Sequence, residues 1–267
     1  MHYQYVLFDL DGTLTESAPG IINAVLYALK KNGIEETDRG KLMAFIGPPL
    51  YESFQKYYGM TPEQAKHMVD DYREYHQVRG WKENSVYEGI PEVLQTLREQ
   101  GRKLVVATSK PEEISKRTVS YFQLDPYFEF IAGASMDSSR SRKGDVIAYA
   151  LSQIRDADAA MEDKDEKPDR EEPGPEMIMV NNYRGNAPGG SDECDESGLR
   201  ASESESRILM VGDRFHDVEG AKENGLPCVG VLYGYGSREE LEQAGAAAIC
   251  PEVRDLPRVI EELERNR

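Results

Sequence analysis

Two carboxylates lie two residues apart near the start of the chain, directly behind a short apolar run. Residues 5–8 (YVLF) are aromatic, aliphatic or β-branched and show no helical period, which predicts a buried strand of a parallel sheet. Asp9 and Asp11 then lie at the carboxyl end of that strand, where open α/β sheets bind their ligands. Gly12 lets the backbone turn away at once, and Thr13 adds a hydroxyl beside the two acids.

The spacing of these acids suits phosphoryl transfer. The carboxylate of Asp9 can attack an electrophilic phosphorus and form an aspartyl-phosphate. Asp11 can protonate the leaving oxygen and later deprotonate the attacking water. Because two neighbouring carboxylates repel each other and a phosphate dianion, the pair predicts a divalent cation, and Mg²⁺ favours oxygen ligands. The structural alternative is an ordinary surface turn, since Asp, Gly and Thr are common turn residues.

The segment FDLDGTLT, residues 8–15, resembles the first motif of the haloacid dehalogenase superfamily of phosphatases. The resemblance implies an α/β fold, a doubly wound, Rossmann-like parallel sheet core with a small all-helical cap over the active site. It also implies that the later motifs of the superfamily follow in order along the chain.

A second motif is indicated behind the strand predicted at residues 103–107. The sequence there continues Thr108-Ser109-Lys110-Pro111, which puts hydroxyls at the same sheet edge as Asp9. The resemblance implies that Thr108 hydrogen-bonds the transferred phosphoryl group, with Ser109 as its neighbour in the phosphate-binding site. Taken alone, a Thr-Ser pair before a helix is usually a helix cap.

The third motif requires a basic residue, and the loop before the helix that starts near residue 143 offers three. The resemblance implies that Lys143 neutralises the phosphoaspartate and the developing negative charge. Arg140 and Arg142 compete for that role, and we favour Lys143 because it directly precedes the helix.

A fourth motif follows the apolar run at residues 208–211, where the sequence reads GDRFHD. The resemblance implies that Asp213 binds Mg²⁺ beside Asp9 and that Asp217 orients a metal-bound water or Lys143. The predicted metal ligands are therefore Asp9, Asp11, Asp213 and Asp217. A helix-capping role for Asp217 is the structural alternative, and the two roles are compatible.

Residues 16–85 carry helical periodicity with capping signals and form the predicted cap domain. Residues 1–15 and 86–267 form the predicted catalytic core. The helix-breaking turn Gly47-Pro48-Pro49-Leu50 resembles the cap loop of the branch that contains phosphoglycolate phosphatases and 5'-nucleotidase-like enzymes. In that branch the loop closes over the leaving group, which makes Pro48 and Leu50 candidate substrate contacts. Proline-rich turns also serve simply to end helices.

An acidic segment at residues 155–205 departs from the pattern of the superfamily. It holds 16 Asp plus Glu against 6 Lys plus Arg and is rich in Ser, Gly and Pro, which predicts a flexible insertion. Residues 177–180 (MIMV) are its one apolar run and a candidate edge strand. A partner-binding or regulatory element is the alternative to a tolerated surface insertion.

Composition narrows the function further. A formal net charge of −17 argues against a nucleic-acid partner, because binding phosphates releases counterions only when the protein brings Lys and Arg. No apolar run approaches the length of a membrane span, and the start MHYQYVLFDLD lacks the features of a signal peptide. Three scattered cysteines suggest neither a zinc site nor a disulfide framework, so we expect a reducing, cytoplasmic setting.

The sequence therefore predicts a Mg²⁺-dependent phosphomonoester hydrolase. Its expected substrate is a small phosphorylated metabolite, either phosphoglycolate-like or a nucleoside 5'-monophosphate. A sugar-phosphate mutase of the same superfamily is the nearest enzymatic alternative. A binding module that recruits a basic partner through the acidic insertion is the alternative from a different class.

Overall fold

The computed structural model describes residues 2–137, 139–165 and 207–266, with the backbone alone over 161–165. The described strands are, in chain order, β1 (Tyr5–Phe8), β2 (Thr15–Glu16), β3 (Ser85–Val86), β4 (Lys103–Pro111), β5 (Phe128–Ala134), β6 (Ile208–Gly212), β7 (Cys228–Val231) and β8 (Ala248–Cys250). The described helices are α1 (Ala18–Lys31), α2 (Arg39–Met43), α3 (Leu50–Tyr58), α4 (Pro62–His76), α5 (Ile90–Glu99), α6 (Glu112–Tyr121), α7 (Lys143–Asp165), α8 (Phe215–Glu223), α9 (Arg238–Ala244) and α10 (Leu256–Arg265).

The main sheet is parallel, with strand order β5-β4-β1-β6-β7-β8. Strand β1 lies in the middle, and its first residue, Tyr5, stands opposite Lys103 of β4 and Ile208 of β6. The chain first builds the sheet outward on one side of β1 and then returns to build the other side. Such a reversal opens a crevice at the carboxyl ends of the strands, which is where open sheets bind ligands. The predicted doubly wound α/β fold is confirmed.

The alternation of side chains along β1 divides the core into two layers. Val6 and Phe8 pack on one face with α5 and α10, whereas Tyr5 and Leu7 pack on the other with α7 and α8. A strand flanked by helices on both faces must be apolar at every position, which explains the run of buried residues before Asp9.

Helices α1 to α4 pack around a separate cluster of buried side chains within residues 16–85. Phe45 and Phe54 meet edge to face at its centre, with their ring centroids 4.9 Å apart. Helix α4 begins with a capping box in which the Thr61 hydroxyl accepts from the backbone of Gln64, and the Gln64 side chain accepts from the backbone of Thr61. The short ribbon of β2 and β3 joins this layer to the sheet. We call this helical layer the cap. That residues 16–85 form a separate domain stays a prediction.

Helix α7 differs from the sequence prediction at its end. We expected the acidic insertion to begin at residue 155, but the helix continues to Asp165. Alanines in this stretch favour a helix, and the side chain of Asp158 accepts a hydrogen bond of 2.6 Å from the hydroxyl of Tyr5. The rest of the predicted insertion, including the candidate strand at 177–180, lies outside the described residues.

In the described part of the chain, no helix combines the length and the apolar character that a membrane crossing requires.

Candidate active site

Lys143, the first residue of α7, lies at the centre of the crevice. Its ammonium nitrogen is 2.7 Å from Oδ1 of Asp9 and 2.8 Å from Oδ1 of Asp217, and it donates to the carbonyl of Ala107 at 3.1 Å. Burial alone would lower the pKa of Lys143, but the charges of Asp217 and Asp9 outweigh it and raise the pKa above its usual value. Lys143 therefore carries a fixed positive charge beside the carboxylate that follows β1.

Three acids meet beside Lys143. Asp9, Asp213 and Asp217 each offer a carboxylate oxygen, and these oxygens lie within 4.8 Å of one another. All three residues are buried. Burial first, and then the charges of Asp217 and Asp9, raise the pKa of Asp213 well above its usual range. The pKa of Asp217 is also raised, chiefly by burial, although Lys143 opposes the effect.

Such a cluster fits a divalent cation. Like charges held this close in a buried site repel each other, and a cation between them relieves the repulsion. A donor set made only of carboxylate oxygens suits Mg²⁺ rather than a metal that prefers sulfur or imidazole. Asp9, Asp213 and Asp217 are therefore the residues that would hold the ion.

The side chain of Asp213 is fixed from three directions. The Thr13 hydroxyl donates to its Oδ1 at 3.3 Å, and the backbone N–H of Tyr235 donates to its Oδ2 at 2.8 Å. Gly12 adopts a φ of +92°, and a Cβ added there would lie 2.3 Å from the same Oδ2. A Cβ added to Gly234 would likewise lie too close to Asp213, at 2.4 Å from its Cβ. These glycines leave room for the carboxylate, which explains why each turn has no side chain there.

Asp11 occupies a different environment from the three-acid cluster. Lys110 donates to its Oδ1 at 2.9 Å and to its Oδ2 at 3.1 Å, and the Lys110 side chain is only 5% exposed. The sequence offered Asp11 as a metal ligand, but the acidic cluster found among the described residues does not include it. Sequence reasoning missed Lys110, although it is the third residue of the Thr-Ser-Lys-Pro motif that drew attention to Thr108.

One cavity of about 400 Å³ connects these groups to the cap. The sequence-predicted residues that line it are Asp9, Asp11, Thr108, Ser109, Lys143, Asp217, Pro48 and Leu50. Thr108 is buried, and its hydroxyl accepts from the backbone N–H of Lys110 at 3.3 Å. Gly12 and Thr13, which we expected to bind the phosphate, are not among the residues that line the cavity, and neither is Asp213. Gly12 and Thr13 lie against the carboxylate of Asp213 instead.

The two alternatives to Lys143 have other partners. Arg142 pairs with Glu223 at 2.9 Å on the rim of the cavity, and Arg140 pairs with Glu112 at 3.0 Å. The structure thus brings Lys143, and neither arginine, into contact with Asp9.

Contacts between the cap and the core complete the site, and no motif in the sequence predicted them. Arg214, the residue after Asp213, donates to the carbonyl of Ile46 at 2.7 Å and pairs with Glu240 at 2.7 Å. The hydroxyl of Tyr235 accepts from the backbone N–H groups of Ser17 and Ala18, each at 2.8 Å. These contacts form a polar joint, in which Arg214 holds the loop before α3 and Tyr235 holds the start of α1.

Helix α4 turns two large polar side chains toward the same cavity. Tyr72 and His76 stack with their ring centroids 5.2 Å apart, and both line the cavity. Burial, reinforced by the nearby charges of Lys110 and Arg117, lowers the pKa of His76 to about 3. His76 is therefore neutral in the folded protein at physiological pH.

Comparisons with known proteins give this geometry a context. Residues 6–160 match the profile of the haloacid dehalogenase-like hydrolases, and residues 193–256 match a profile described as HAD-hydrolase-like. A 5'-nucleotidase of Pseudomonas aeruginosa is 35% identical over 261 residues, which is 98% of this chain and 97% of that protein. The tyrosine-protein kinase PtkA of Mycobacterium tuberculosis is 34% identical over 246 residues, which is 92% of this chain and 68% of that protein.

A solved structure agrees with these sequence matches. The crystal structure of a "predicted phosphatase" from Clostridium acetobutylicum superimposes with a TM-score of 0.77 at 39% identity, over 98% of this chain and 100% of that one.

Proposed function

The chain belongs to the haloacid dehalogenase-like hydrolases, and on that premise we propose that it is a Mg²⁺-dependent phosphomonoester hydrolase that acts through an aspartyl-phosphate on Asp9. One observation carries the proposal. The carboxylate of Asp9 lies at the carboxyl end of β1, 2.7 Å from the ammonium of Lys143 and within 4.8 Å of the oxygens of Asp213 and Asp217. A nucleophile, a fixed cation and an oxygen-only metal site thus meet at one point.

In the first step, an oxygen of Asp9 attacks the phosphorus of the ester, and the bond from phosphorus to the leaving oxygen breaks. Asp11 supplies the proton that the leaving oxygen takes up. Lys143 offsets the negative charge that builds on the phosphoryl group, and the Thr108 hydroxyl donates a hydrogen bond to it. Mg²⁺, when bound by Asp9, Asp213 and Asp217, supplies positive charge that offsets the repulsion between carboxylate and phosphate.

In the second step, Asp11 removes a proton from a water molecule, which attacks the phosphorus of the phosphoaspartate. The bond between phosphorus and the Asp9 oxygen breaks, and inorganic phosphate leaves. The ion pair with Lys110 supports this assignment, because it holds the Asp11 carboxylate in one orientation beside the cavity rather than at the metal cluster.

The substrate in this proposal is a small phosphorylated metabolite, phosphoglycolate-like or a nucleoside 5'-monophosphate. The 5'-nucleotidase relative supports the second, and a cavity of about 400 Å³ suits a small molecule better than a macromolecule. A cytoplasmic setting belongs to the same proposal, and the free, buried Cys228 and Cys250 agree with it.

The test is a trapping experiment with p-nitrophenyl phosphate and MgCl₂. Nitrophenolate leaves without help from an acid, so Asp11→Asn should release one equivalent of it in a burst and then stall as a phosphoenzyme. Hydroxylamine should cleave that acyl phosphate, and Asp9→Asn should form none. Glu113→Gln, which removes an exposed acid of α6, is the matched control. Steady turnover by Asp9→Asn at the wild-type rate would refute the nucleophile.

Product analysis distinguishes a hydrolase from the alternative, a sugar-phosphate mutase. Incubation with a hexose phosphate should yield free phosphate from a hydrolase and an isomeric hexose phosphate from a mutase.

A further inference from the structure

The cavity has two chemically different sides. The core side presents Asp9, Asp11, Lys110 and Lys143, whereas much of the cap side is apolar or aromatic. The cap side includes Pro48, Pro49, Leu50, Tyr51, Val69 and Tyr72. The core side suits a phosphoryl group, and the cap side must therefore face the group to which the phosphoryl is attached.

Two exposed apolar side chains mark the mouth of this cavity. Tyr51 on α3 is 39% exposed, and Met136 in the loop after β5 is 54% exposed, and both line the cavity. They are two of the four large hydrophobic side chains exposed among the residues that the structure describes. One comes from the cap and the other from the core. Both therefore offer apolar contact surface to a ligand that enters the cavity.

The charges around the cavity disfavour a second anionic group on the substrate. Each lysine or arginine among the described lining residues has an acidic partner within 4.0 Å. The pairs are Lys110 with Asp11, Lys143 with Asp9, Arg142 with Glu223, Arg214 with Glu240 and Arg73 with Asp70. Glu52, the neighbour of Tyr51, adds a negative charge at the mouth. A carboxylate or a second phosphate on the leaving group would therefore meet no unpaired cation among these described lining residues, and Glu52 would repel it.

Building on the proposed phosphatase function, we propose that the leaving group is a nucleoside whose base stacks on Tyr51 and contacts Met136. A base is flat, aromatic and uncharged, which matches a tyrosine ring and a polarisable thioether. A cavity of about 400 Å³ holds a ligand of that size, whereas the glycolate group is small and carries a carboxylate. Tyr51 is then a specificity-determining residue, and the site selects nucleoside 5'-monophosphates over phosphoglycolate.

The experiment compares UMP and AMP with ribose 5-phosphate, which is the same ester without a base. In the wild-type protein kcat/KM for the nucleotides should exceed that for ribose 5-phosphate by about tenfold or more, because base stacking on an aromatic ring is strong enough to give that ratio. Tyr51→Ala should reduce the ratio by about tenfold, mainly through KM. Tyr51→Phe keeps the ring and should keep the ratio. Val78→Ala, an exposed cap position outside the cavity lining, is the control.

The outcomes separate the two proposals. If ribose 5-phosphate or 2-phosphoglycolate is hydrolysed as efficiently as UMP, or if Tyr51→Ala leaves the ratio unchanged, the nucleoside subsite is refuted while the phosphatase stands. If p-nitrophenyl phosphate is not hydrolysed either, the phosphatase proposal fails. In that case calorimetry still tests whether the protein contacts the base, by comparing the affinity for UMP with the affinity for ribose 5-phosphate. We expect UMP to bind more tightly, and equal affinities would contradict the contact.

Discussion

The core edge and the cap wall face each other across one cavity, but different forces build them. At the core edge, buried charges are held by ion pairs as short as 2.7 Å and by backbone donors. At the cap wall, aromatic and aliphatic side chains pack on a cluster centred on Phe45 and Phe54. Charged groups at fixed positions can stabilise a reaction, whereas apolar surface has no fixed direction and selects by shape and size.

This contrast implies that the core edge determines the reaction rate and the cap wall determines substrate preference, which mutations can test. Damage to the core edge should slow the reaction of every substrate, because each presents the same phosphoryl group. Damage to the cap wall should change the ranking of substrates instead. Arg214 and Tyr235 join the two sides, so a change at the joint should affect both.

The largest effect is expected from Asp9→Asn. It removes the nucleophile, and kcat should fall by at least about 10³-fold for every phosphate ester, whatever its leaving group. The amide is nearly the same size as the carboxylate, so the melting temperature should stay within a few degrees of the wild type. Turnover of UMP, ribose 5-phosphate and p-nitrophenyl phosphate measures the effect. A loss of activity with only one of these substrates would contradict the assignment of the core edge to a step that all substrates share.

A second test compares two glycines with positive φ. Gly12→Ala places a Cβ 2.3 Å from Oδ2 of Asp213, whereas Gly33→Ala, at φ +74°, meets no atom within 4 Å. Both variants should lose about 1–2 kcal/mol of stability from backbone strain. Only Gly12→Ala should also lose about 10²-fold in kcat, because it displaces a carboxylate of the catalytic site.

Thermal melts with and without MgCl₂ complete that comparison. Wild type and Gly33→Ala should gain several degrees in melting temperature from saturating MgCl₂, since an ion that binds only the folded state stabilises it. Gly12→Ala should gain little. An equal gain in all three proteins would show that Asp213 does not hold the ion.

A smaller effect is expected at the joint. Arg214→Ala removes the hydrogen bond to Ile46 and the pair with Glu240, and kcat/KM should fall by about tenfold for all substrates. Arg214→Lys should not restore it, because one ammonium cannot reproduce the fork of a guanidinium. Arg238→Ala removes an exposed arginine that pairs with Glu242 and serves as the control. Equal activities of the two alanine variants would argue against the joint.

The last prediction concerns the stability of the folded protein in acid rather than the rate of catalysis. The pKa of His76 falls to about 3 in the folded protein from a usual value near 6.5, so the unfolded chain binds one more proton between these limits. His76 should therefore make the folded state lose stability as pH falls from about 6.5, by up to about 1.4 kcal/mol per pH unit. His76→Gln should flatten this slope in urea melts, with the exposed His67→Gln of the same helix as control. Parallel curves for His76→Gln and wild type would contradict the assignment.

Much of the fold could be read from local patterns. The apolar run before Asp9 and the capping box of Thr61 and Gln64 are each determined by residues close together in the chain. The end of α7 was predicted too early, because the acidic composition of residues 155–165 obscured their helix propensity. The catalytic roles of the site residues stay predictions.

The sequence by itself determined that Asp9 and Asp213 lie at the carboxyl ends of strands, since apolar runs that stop at an acid specify both the strand and its edge. Only the tertiary structure decided which side chains meet there. Asp11 pairs with Lys110 from 99 residues away, and Arg214 reaches Ile46 across 168 residues. Tyr51 and Met136 likewise share a cavity because cap and core pack together. Such contacts depend on the relative placement of whole elements, which no local pattern of residues encodes.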